Sequence, residues 1–99
     1  MRITETQKQR IHDVVTTCAG DNAEVKLFGS RLDDNAKGGD IDLLVTTLEP
    51  INNPAELSAQ ISAKIMREFN GRKVDVLMAA PNLRFLPIHD IATKNGRIL

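Results

Sequence analysis

Gly29-Ser30-Arg31-Leu32-Asp33-Asp34-Asn35-Ala36-Lys37-Gly38-Gly39-Asp40-Ile41-Asp42 opens on a Gly-Ser turn and closes on two aspartates one residue apart, at the head of the apolar run Leu43-Leu44-Val45. A strand sends alternate side chains to opposite faces, so Asp40 and Asp42 point the same way. Two carboxylates side by side repel each other, and each loses water if the face is covered. The usual chemical reason to accept that cost is a divalent cation held between them. A third carboxylate sits in a similar setting, Asp75 within Val74-Asp75-Val76-Leu77-Met78.

Outward from this stretch, periodicity orders the chain. Residues from Thr4 to Ala19 read as a helix, with Thr4 and Gln7 as a capping box. Ile11, Val14, Val15 and Cys18 recur on its buried stripe. Glu24 to Phe28 alternates and reads as a strand leading into Gly29-Ser30. Residues 31 to 39 are a polar loop, and Asp40 to Thr46 is a second strand. Asn53-Pro54-Ala55-Glu56 is a strong helix start, with Asn as N-cap and Pro at the first helical position. Leu57, Ile61, Ile65 and Phe69 then fall at steps of four, and Asn70-Gly71 is the stop. Lys73 to Ala79 is a third strand. A last helix over Pro87 to Lys94 is expected to turn Ile88 and Ile91 inward, ending at Asn95-Gly96.

The order is α-β-β-α-β-α, an α+β fold built on a small mixed sheet. The unit from Asp40 to Ala79 is expected to be a right-handed crossover between parallel strands. Ile41, Leu43 and Val45 share one face with Val74, Val76 and Met78, while Asp40, Asp42 and Asp75 take the other. With the helices on the apolar face, spacing alone places three carboxylates on the open face.

The compound pattern resembles the nucleotidyltransferase superfamily that includes DNA polymerase beta, and within it the minimal nucleotidyltransferases. That signature is an apolar residue, Gly, Gly or Ser, nine to thirteen residues, then Asp, an apolar residue and Asp or Glu. An acidic residue follows on a later strand. Phe28-Gly29-Ser30, nine intervening residues, Asp40-Ile41-Asp42 and Asp75 meet every part. The resemblance runs from about Glu24 to Ala79, and the flanking helices fit it. It implies transfer of a nucleoside monophosphate by in-line displacement at the alpha-phosphorus, helped by two magnesium ions roughly 4 Å apart. It assigns Asp40 and Asp42 as metal ligands. Asp75 would be a ligand to one ion and the acceptor of the proton from the attacking hydroxyl. Gly29 and Ser30 would anchor the triphosphate of ATP, with Arg31 or Lys37 adding charge to the leaving pyrophosphate.

Composition narrows the field. Ninety-nine residues suit one domain over 1–99, with thirteen acidic and thirteen basic residues balancing to zero formal charge. That balance argues against a general nucleic-acid binder, which needs a basic surface. No apolar run approaches a membrane span, and the N-terminus has no signal-peptide core. One cysteine permits no internal disulfide, so a cytoplasmic setting is expected. Cys18 lies on a helical apolar stripe and reads as core. His12 and His89 lack a ligand cluster and read as structural or surface residues. An EF-hand starting at Asp33 fails, because Lys37 takes a ligand position and Leu44 replaces the closing Glu. There is no Walker loop and no Gly-x-Gly-x-x-Gly fingerprint.

Three Phe and no Trp or Tyr leave few side chains on which a base could stack. With the chain ending at Leu99, soon after the third strand, the acceptor platform is expected to come from another chain. For the minimal branch the resemblance implies a HEPN-type toxin as partner, this chain being its antitoxin and transferring AMP to a tyrosine of it. Homo- or hetero-oligomers are compatible with this. Two other readings stand beside it: an antitoxin that neutralises its partner by binding alone, and a nucleotidyltransferase modifying aminoglycoside or lincosamide drugs.

Overall fold

The computed structural model describes residues 3–29 and 40–99. These form helix α1 (Glu5–Ala19), strand β1 (Glu24–Phe28), strand β2 (Ile41–Thr46), helix α2 (Pro54–Glu68), strand β3 (Val74–Ala79), helix α3 (Pro87–Asn95) and strand β4 (Arg97–Ile98). The sheet order is β3-β2-β1-β4. β1 runs antiparallel to β2 and to β4, whereas β2 and β3 are parallel, joined by α2. The fold is α+β with a mixed sheet.

The helix ends form where local chemistry places them. Thr4 and Gln7 satisfy each other's backbone N–H groups at the start of α1, as a capping box. The Asn53 side chain accepts from the Glu56 N–H at the start of α2, and Pro54 follows without a donor to lose. At the far end Asn70 and Gly71 both take positive φ, and the Gly71 N–H donates to the Met66 carbonyl.

Registry sorts the strand side chains as alternation requires. Val25, Leu27, Ile41, Leu43, Val45, Val74 and Met78 meet Ile11 and Val15 of α1, Ile61 and Ile65 of α2, and Phe69 just beyond α2. Each such fully buried aliphatic side chain contributes about 1.5–3 kcal/mol. A second, smaller cluster lies on the opposite sheet face, where Phe28, Leu44 and Ala92 are buried with Leu77 and Ala79 against them. Thus α1 and α2 cover one face, as expected, whereas α3, expected beside them, covers part of the other, where Phe28, Leu44 and Leu77 offer it an apolar patch.

The orientation of α3 corrects the sequence expectation. Ile88 and Ile91 are 47% and 55% exposed, while His89 and Ala92 are buried. Close approach to the sheet needs a small side chain over Phe28 and Leu44, which Ala92 supplies. His89 works as a polar clamp. The Leu86 N–H donates to Nδ1 at 3.0 Å, and Nε2 lies 2.8 Å from the Met78 carbonyl. A carbonyl can only accept, so Nε2 carries the hydrogen. Ser62 of α2 donates to the Val74 carbonyl at 2.6 Å. Two outward carbonyls of edge strand β3 are therefore met by side chains from the helices on either face. Strand β4 was not anticipated. Its two residues pair with Lys26 and Leu27 of β1.

Candidate active site

The open end of the second face holds the carboxylates. Phe28 pairs with Asp42 across β1 and β2, and Asp42 pairs with Asp75 across β2 and β3. Neighbouring strands lie about 4.8 Å apart, so the two carboxyl groups are cross-strand neighbours of like charge. Asp40 precedes β2 by one residue and is exposed. Leu44 and Leu77 lie two residues beyond Asp42 and Asp75 on the same face, under α3. The apolar patch beneath α3 thus ends where the acidic patch begins.

Asp42 is the most enclosed of the three. Its carboxyl is held above the ordinary carboxylate range, first by burial, then by the charges of Asp75 and Asp40, with Lys73 pulling the other way. Gly29 adjoins it. The glycine has φ +77°, and a Cβ there would overlap the Asp42 carboxylate oxygen. The left-handed backbone favours glycine, and a side chain there would have to push the Asp42 carboxylate aside. The backbone at the end of β1 thereby comes up against the acidic patch.

Lys73 is the functional candidate that the sequence reading passed over. Its Nζ lies 3.8 Å from Asp40 Oδ2 and 3.9 Å from Asp75 Oδ1. The signal was available: Lys73 precedes Asp75 by two, so both face the same way. Ser30, Arg31 and Lys37 fall outside the described residues.

The donor set suits a hard divalent cation. Carboxylate oxygens on a face open to water match magnesium, which keeps several waters and takes few protein ligands. Among the described residues, no three His, Cys, Asp or Glu side chains already converge at metal-ligand spacing.

Residues 8–99 match the family model of the nucleotidyltransferase domain. The chain belongs to that family. Within it the matched segment runs from α1 through β4 and contains Gly29, Asp40, Asp42, Lys73 and Asp75. Family membership makes the chain a transferase whose substrate is a nucleotide, in a family that generally uses a nucleoside triphosphate with magnesium. No curated protein and no solved structure matches the chain significantly. Among the described residues, no helix is long and apolar enough to cross a membrane.

Proposed function

We propose that this nucleotidyltransferase moves AMP from ATP to a hydroxyl of a partner protein, as the cytoplasmic antitoxin of a HEPN-type toxin. The observation that carries the chemistry is the pairing of Asp42 with Asp75 on the open face, beside a left-handed glycine set against the Asp42 carboxylate. Asp40, Asp42 and Asp75 are the residues that would hold magnesium. When bound, magnesium neutralises charge on the phosphates and steadies the attacking and leaving oxygens.

The chain's own groups do the rest. The Gly29 backbone lets phosphate come close to the end of β1. Ser30, with Arg31 or Lys37, contacts the triphosphate, a role resting on the sequence pattern alone. Asp75 accepts the proton of the attacking hydroxyl. That oxygen bonds to the alpha-phosphorus, the bond from phosphorus to the alpha–beta bridging oxygen breaks, and pyrophosphate departs with the electron pair.

A protein acceptor is supported by two features. Aromatic side chains for gripping a base or a drug are scarce, with three Phe and no Trp or Tyr. Phe85, Ile88 and Ile91 lie exposed on α3 and its approach, apolar surface suited to another protein. The alternative is neutralisation of the partner by binding alone.

The test incubates the purified product of the neighbouring reading frame with this protein, ATP and magnesium, and records the intact mass of that product. The expected result is a gain of nucleotidyl groups. Asp42→Asn is expected to slow the gain by about 10²–10³-fold. A stable complex without any gain would favour the binding-only reading.

A further inference from the structure

The acidic patch of the open face already contains a cation. Lys73 stands one residue before β3, and Asp40 one residue before β2; the Ile41–Val74 pairing therefore puts the two side by side in the parallel register. The ammonium lies within 4 Å of Asp40 and of Asp75, at 3.8 and 3.9 Å. It is two-thirds exposed, with side-chain accessibility of 67%, so it reaches in from solvent on a flexible stem. Those separations make it an ion-pair partner shared by two carboxylates, neither of which holds it by a short hydrogen bond.

Resting on the reading of these carboxylates as a magnesium site, we propose that Lys73 is a built-in counter-cation, which the divalent ion must displace. Three consequences follow from Coulomb's law. Without metal, the ammonium offsets repulsion among carboxylates that register forces together. Its position against both Asp40 and Asp75 occupies oxygens that a metal ion would need. On metal binding, the ammonium must withdraw, since it and the divalent ion compete for the same oxygens. Lys73 thus lowers the affinity for free metal and spares the fold the full cost of an empty acidic site.

Lys73 is a positioning residue, and its test reads binding directly. Manganese and magnesium affinities are measured by calorimetry for the wild type, Lys73→Gln and Lys73→Arg, without nucleotide. Exposed pairs of this kind are worth little each, so Lys73→Gln is expected to tighten metal binding by roughly three- to tenfold. Lys73→Arg, which keeps the charge, is expected to stay near wild type. Equal or weaker affinity in Lys73→Gln overturns the role of Lys73 while leaving the metal site standing. Absence of metal binding in both wild type and Lys73→Gln overturns the metal reading and this proposal with it.

Discussion

The two faces of the sheet spend the same strands on opposite ends. Beneath α1 and α2, Leu27, Ile41, Leu43, Val45, Ile61 and Ile65 are wholly buried. On the other face, the same β2 and β3 carry Asp42 and Asp75 against each other, and α3 covers only the half that bears Leu44 and Leu77. The closed face gains stability from every residue it packs. The open end gives some up, since like charges stand in register and one carboxyl is held above its ordinary range. A site that costs stability on one face needs a well-packed partner on the other, and alternation along each strand keeps the two separable.

Mutations should reveal that separation. The largest effect on stability belongs to the closed face. Ile61→Ala is expected to cost about 2–5 kcal/mol, read as a lower urea midpoint with an unchanged slope. Gly29→Ala comes next. It must adopt a left-handed backbone and push against Asp42, so a cost of about 1–3 kcal/mol is expected, with transfer falling more than stability. Equal stability of Gly29→Ala and wild type would mean that the turn and the carboxylate are not held together. The smallest effect belongs to the outer flank of α3. Ile91→Ser should change stability by less than about 0.5 kcal/mol, yet weaken any complex with the partner protein, as a pull-down would show.

The acid dependence separates the faces in another way. The folded state holds a proton on Asp42 more tightly than the unfolded chain does. The sign then follows from linkage: this contribution is present at low pH and is lost as pH rises through the raised folded value. Stability of the metal-free protein should therefore decline slightly from the ordinary carboxylate range upward. Asp42→Asn, with nothing to ionise there, should lack that decline.

The closed face and the open carboxylates could both be read from spacing. Leu57, Ile61, Ile65 and Phe69 recur at helical intervals, and Asp40, Asp42 and Asp75 alternate out of phase with Ile41, Leu43, Val45, Val74, Val76 and Met78. Periodicity fails where few residues share a contact. In α3 it pointed to Ile88 and Ile91, because hydrophobicity alone ranks them above His89 and Ala92. The close crossing over Phe28 needed a small residue, and the Met78 carbonyl needed a donor; neither need is visible in a single helix's pattern. β4 is two residues long and has no period to detect. Lys73 was read only as the first residue of the third strand, where a lysine usually reads as solvated. Its spacing from Asp75 was legible; its place beside Asp40 needed the strand register.

The most direct measurement compares melting of the wild type and Asp42→Asn, first in chelator and then in excess magnesium. In chelator the Asn variant is expected to melt about 1–3 °C higher, because it removes the repelling charge at the paired position. In magnesium the wild type is expected to gain stability by mass action and the variant to gain distinctly less. An equal gain in both proteins, or an Asn variant that already melts lower in chelator, would contradict the claim that the open face gives up stability for a metal-binding site.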